Sequence, residues 1–199
     1  MRSRSAVCLC AILAITALVP AGPTPGGARA QSATPADPAA AKHLDDLFSR
    51  LKAAGSDLAA EPIVAEIWEA WRDAAPAGVK PLAQQAGLEM TRGDIHAAVA
   101  VLDEVVRRAP AWAEGWNQRA TMLYLLGDHA RSLADCDRVL ALEPRHFGAL
   151  AGMGLIHIAA GRLADGLAAY KRALVHNPYL KERDSIIPAL EQRLQGKPL

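Results

Sequence analysis

Between residues 79 and 180, large, small and polar positions recur every 34 residues. Numbering each unit from Val79, Ala113 and Phe147, position 4 is large (Leu82, Trp116, Leu150) and position 8 is small (Ala86, Ala120, Gly154). Position 20 is small (Ala98, Ser132, Gly166), position 21 is apolar (Val99, Leu133, Leu167), and position 24 is bulky or apolar (Leu102, Cys136, Tyr170). Positions 27 and 28 read Val105-Val106, Val139-Leu140 and Ala173-Leu174. Small residues at 8 and 20 let two helix backbones approach closely, and large ones at 4, 24 and 28 fill the space around them, as ridge-into-groove packing requires.

The punctuation has the same period. Pro76, Pro110, Pro144 and Pro178 stand 34 residues apart, as do Gly93, Gly127 and Gly161, each seventeen before the next proline. Glycine ends a helix in the left-handed conformation, and proline cannot continue a helix interior. Each unit therefore predicts a helix, a Gly turn, a second helix and a Pro-marked turn. Upstream, residues 42–78 keep the closing proline and lack the glycine. Leu44, Leu47, Phe48 and Leu51 share one helical face, Gly55 can end that helix, Pro62 can start the next in its first turn, and Ile63, Ile67, Trp68 and Trp71 line one face of it. This region reads as a degenerate first repeat covering the N-terminal end of the stack. Downstream, Leu180 to Leu194 is amphipathic and reads as a closing helix within 181–199, with Pro188 expected to kink or split it.

A 34-residue unit with this arrangement of large and small residues resembles the tetratricopeptide repeat. The resemblance covers residues 79–112, 113–146 and 147–180. Trp116 is the only tryptophan at its site, Arg119 stands where leucine is usual, and Glu89, Leu123 and His157 replace the usual tyrosine. The resemblance implies an all-α fold, a right-handed α-α superhelix of helix hairpins, and a concave groove lined by the first helix of each repeat. By that family geometry the groove residues include Lys80, Gln84, Met90 and Thr91, then Asn117, Gln118, Thr121 and Tyr124, then Ala151, Leu155, Ile158 and Ala159. Repeats of this family also resemble Trp116-Asn117-Gln118-Arg119 with Ala134-Asp135-Cys136-Asp137-Arg138, which predicts a pair between Arg119 and an acid on the second helix.

Composition agrees with an all-helical chain, being rich in Ala and Leu and poor in aromatic residues at 5%. The N-terminus changes the expected address. Met1-Arg2-Ser3-Arg4 is a short basic start, Ala6 to Val19 is apolar apart from Thr16, and a Pro/Gly zone leads to Ala28-Arg29-Ala30. That order predicts a secretory signal peptide over residues 1–30, cut after Ala30, and a periplasmic or secreted product. The apolar run falls short of the ~20 residues needed to span a bilayer, against the alternative of a retained anchor. Residues 31–41 are rich in Ala, Pro, Ser and Thr and read as a flexible linker. Without residues 1–30 the chain holds 19 basic and 21 acidic side chains, a formal charge of −2. That near-neutral balance points away from nucleic acid.

Chemistry for catalysis is missing from the sequence. No Walker loop, H-E-x-x-H, C-x-x-C or G-x-S-x-G occurs. His43, His96, His129, His146, His157 and His176 contain no pair at metal-ligand spacing and read as surface or rim histidines, so neither a metal nor a cofactor is expected. Cys136 reads as a small buried hydrophobe, and Trp68 and Trp71 as core residues, with a contact patch for a partner as the alternative. In Gly152-Met153-Gly154 the repeat register demands a small residue at 154. The expected function is a non-enzymatic adaptor or scaffold of the bacterial cell envelope, holding a protein or peptide in the groove. The alternative is a holdase-like chaperone or assembly factor for exported proteins. The groove residues give a carboxylate clamp little beyond Lys80 and Asn117, and suit an apolar helix or strand better.

Overall fold

The computed structural model describes residues 38–196, which fall within one compact unit of residues 33–199. The expected leader and residues 31–37 of the expected linker lie outside the described residues. Those described form α1 (Pro38–Ala53), α2 (Asp57–Asp73), α3 (Lys80–Thr91), α4 (Ile95–Arg108), α5 (Ala113–Leu125), α6 (His129–Leu142), α7 (Phe147–Ala159), α8 (Leu163–His176), a 3-10 turn (Lys181–Arg183) and α9 (Ile186–Leu194). No strand occurs among them, and none of these helices is long and apolar enough to cross a membrane. The architecture is an all-α superhelix of antiparallel hairpins, α3–α4, α5–α6 and α7–α8.

The turns follow from the residues that punctuate the repeat. Gly93, Gly127 and Gly161 have φ of 80°, 77° and 74°, a conformation that costs other residues strain. Asp94 and Asp128 follow the first two glycines and cap the next helix, accepting from Ala97 N at 2.9 Å and Arg131 N at 3.2 Å. Before Pro144 and Pro178, Glu143 and Asn177 turn extended (φ −136° and −127°), as the ring of a following proline demands.

Inside each hairpin the small positions set the approach. A Cβ on Gly154 would lie 2.7 Å from the Tyr170 ring, and one on Gly166 would lie 2.8 Å from Ile158 and 3.1 Å from the Gly154 carbonyl. In the second repeat, Ser132 donates to Ala120 O at 2.7 Å across the same crossing. The expected Arg119 pair is present with Asp135, as two parallel bonds of 2.8 and 2.7 Å, and Arg119 also reaches Asp103 on α4 at 2.8 Å. One guanidinium thus ties α5 to its partner helix and to the preceding repeat. At the C-terminal end, Ile187 and Leu190 of α9 bury against Tyr170. Pro188 is the third residue of α9, in the first turn where no backbone donor is needed, so it does not kink the helix. The amphipathic stretch is instead divided by the 3-10 turn.

The N-terminal hairpin departs from expectation in three ways. Helix α1 starts at Pro38, four residues before Lys42, because proline suits a first helical position and Ala39 to Ala41 propagate the helix. Helix α2 starts at Asp57, with the Ser56 hydroxyl accepting from Ala59 N at 3.3 Å, so Pro62 lies inside it. Third, the hairpin does not cover the open side of α3 and α4. Its cluster of Leu47, Phe48, Leu51, Ala60, Ile63, Ile67 and Trp71 buries against Phe147, Leu150 and Ala173, with Tyr179 and Leu180 at the edge. Along α2, Asp57 pairs with Arg183 at 2.6 Å, Trp71 stacks on His146, and the Trp71 carbonyl accepts from Trp112 Nε1 at 2.8 Å. The hairpin therefore runs back along the inter-repeat turns from the C-terminal end. The side of α3 left uncovered exposes Pro81, Gln84, Gln85 and Leu88, a mixed face of two amides and two apolar residues.

Candidate functional site

Helices α5 and α7 are the first helices of the second and third repeats, and a cavity of about 270 Å³ opens between them. Asn117, Thr121 and Tyr124 from α5 face Gly148, Ala151, Gly152 and Leu155 from α7, with Ser132 and Cys136 of α6 behind them. The spacings 117, 121, 124 and 148, 152, 155 put each set on one helical face. Trp68, from the N-terminal hairpin, is a further lining residue. It lies over Gly148, where any Cβ would collide with the indole.

Next to the cavity is a buried polar network. Glu114 and His146 are 5% and 0% exposed. Glu114 accepts from Asn117 Nδ2 at 2.9 Å and from Gln118 Nε2 at 3.3 Å, and it lies 3.2 Å from His146 Nε2. His146 Nδ1 accepts from Ala149 N at 3.1 Å, which caps α7. Since Nδ1 accepts, the ring proton sits on Nε2 and points to Glu114. The Trp71 indole stacks on the imidazole, with centroids 4.0 Å apart and planes 13° apart.

Of the residues expected in the groove, Asn117, Thr121, Tyr124, Ala151 and Leu155 come together around the cavity. Gln118 sits beside them, bonded to Glu114. Lys80, Gln84 and Met90 are exposed on α3 and do not line this cavity. Ile158 packs against the cluster of α8 and α9. His146 is a correction, for it is fully buried rather than at a rim, because the hairpin covers the turn that carries it. Sequence reasoning passed over Glu114 and Gly148, gave Trp68 a place in the core with a partner contact patch as the alternative, and gave Gly152 no role in a groove. Glu114 and Gly148 occupy position 2 of their repeats, a groove position by the same register, so the signal was available for them. For Trp68 the sequence left core and contact patch both open, since its position depends on where the hairpin docks.

Cys136 is 2% exposed, and burial, reinforced by Asp135 and Asp137, pushes its thiol up to about 12. It is a wall of the cavity and not a nucleophile. Among the described residues no three His, Cys, Asp or Glu side chains gather to hold a metal ion.

Residues 84–145 and 132–180 match the tetratricopeptide repeat family. A TPR repeat-containing protein of Rhizobium etli is 36% identical over 155 residues, spanning 78% of this chain and 76% of that relative. The chain belongs to the tetratricopeptide-repeat proteins. Among solved structures, the first TPR of Spaghetti (RPAP3) bound to the HSP90 peptide SRMEEVD superposes with a TM-score of 0.55 at 20% identity, covering 57% of this chain and 90% of that one. MamA protein superposes with a TM-score of 0.55 at 16% identity, covering 79% and 83%. Both likenesses concern the tetratricopeptide fold. The family consists in general of protein-interaction modules rather than catalysts.

Proposed function

We propose that this protein is a non-catalytic adaptor of the bacterial cell envelope that holds a segment of a partner protein between α5 and α7. The observation that carries the reading is the cavity where Asn117, Thr121, Tyr124 and Leu155 converge. The solved relative with a bound peptide supports peptide capture as a use of this fold. The basic start, apolar run and Ala28-Arg29-Ala30 support export with a cut after Ala30. No lysine or arginine lines the cavity, which favours an apolar segment over an acidic C-terminus. A holdase-like role is the second reading. It draws on Leu88, Met90 and Leu125, which are 57%, 45% and 56% exposed near the ends of α3 and α5.

The test is affinity capture from the envelope fraction with the wild-type protein and with Tyr124→Ala combined with Leu155→Asp. The adaptor reading expects one or two stoichiometric partners, lost in the double variant. Unchanged capture by the double variant contradicts the groove assignment, and suppression of aggregation of many clients favours the holdase.

A further inference from the structure

The two glycines of Gly152-Met153-Gly154 have different jobs. Gly154 is forced by packing, since a Cβ there would press into Tyr170. Gly152 is not, because its Cβ would meet only Cys136 Sγ, at an ordinary contact distance of 3.9 Å. What the missing side chain leaves is space in the cavity. At about 270 Å³ that space lies below the ~300–1,000 Å³ of small-molecule sites. It suits one large side chain, bounded by Trp68, Tyr124 and Leu155.

The polar atoms around it have a definite sense. The Thr121 hydroxyl donates to Asn117 O at 3.0 Å, the Ser132 hydroxyl donates to Ala120 O at 2.7 Å, and the Asn117 amide donates to Glu114. Thr121 Oγ1 and Asn117 Oδ1 thus remain as acceptors, beside the second N–H of the Asn117 amide. Behind Asn117, the carboxyl group of Glu114 is bonded to Asn117, Gln118 and His146, and no lysine or arginine is bonded to it.

We infer that this cavity is a specificity pocket for one bulky aliphatic or aromatic residue of an extended partner segment, with a basic rather than an acidic neighbour. The inference rests on the groove reading above and adds the chemistry of what enters. The apolar body fills the space over Gly152. N–H donors or an ammonium group beside it meet acceptor oxygens and the field of Glu114, whereas a carboxylate meets no lysine, arginine or histidine on the cavity wall.

The experiment is an NMR titration of the protein with acetylated, amidated pentapeptides, read at the amides of Thr121, Gly152 and Leu155. The central residue is Leu, Phe or Ala, and for Leu the flanking residue is Lys, Ser or Asp. The Leu and Phe peptides are expected to bind about tenfold more tightly than Ala, and the Lys-flanked peptide more tightly than the Asp-flanked one. Gly152→Leu fills the pocket and should abolish the Leu preference without lowering Tm. Thr121→Arg changes an exposed position and should turn the preference toward Asp. Equal binding of the Leu and Ala peptides, tighter binding of the Asp-flanked peptide, or an unaltered charge preference in Thr121→Arg overturns the pocket while leaving the groove reading in place. If no peptide perturbs α5 or α7, both fall.

Discussion

His146 shows how one side chain can serve three elements. Its Nδ1 caps α7, its Nε2 satisfies Glu114 at the start of α5, and its ring carries Trp71 of α2. Replacing it by alanine removes a cap, leaves a buried carboxylate short of a donor and opens a cavity beneath an indole. His146→Ala is expected to lower unfolding free energy by about 3 kcal/mol in urea denaturation; a loss below about 1 kcal/mol would show that the network is not structural. Cys136 gives an independent check on burial. Because its thiol is pushed up to about 12, maleimide labelling of the native protein at neutral pH should be at least about tenfold slower than in denaturant. Equal rates would mean that the cavity wall is open. The Cys136 environment was legible in the sequence, because position 24 is a core position in all three repeats. His146 was not, since its burial comes from a hairpin distant in sequence.

At the scale of elements, the repeat register did most of the work. Gly93, Gly127 and Gly161 adopt the positive φ that their spacing implied, and the small residues at positions 8 and 20 lie where helices cross. The prolines outside the register do not mark helix boundaries. Pro62 and Pro188 sit within helices that Ser56 and the 3-10 turn, not the prolines, delimit. Arg119 is the element-scale link with the clearest consequence. Asp135 is 4% exposed, and both its oxygens accept from that guanidinium. Removing the cation strands a buried charge, so Arg119→Met should cost about 3–5 kcal/mol, whereas Arg119→Met with Asp135→Leu should recover most of that loss. A double-mutant cycle by chemical denaturation measures this, and additive losses would contradict it.

For the molecule as a whole, the N-terminal hairpin acts as a brace. It touches the turn before α5, the turn before α7 and the segment after α8, so it links the successive repeats and contributes Trp68 to the groove wall. Its amphipathic helices could be read from the sequence; its docking place could not, because a helical face states what must be buried but not against which neighbour. The bond types predict how it is held. Arg145–Asp45 and Arg183–Asp57 are ion pairs between a half-buried arginine and an exposed carboxylate, while Leu47 is 0% exposed within the apolar cluster. Asp45→Ala should therefore cost less than about 1 kcal/mol and Leu47→Ala about 2–5 kcal/mol, measured by urea denaturation; the reverse order would mean that charge, not burial, secures the brace. The most direct test of the account is site-specific photocrosslinking in intact cells. A benzophenone side chain at Thr121, in the groove, should trap a discrete partner, and one at exposed Asp137 on α6 should not. Capture from Asp137 with none from Thr121 would contradict a partner held between α5 and α7.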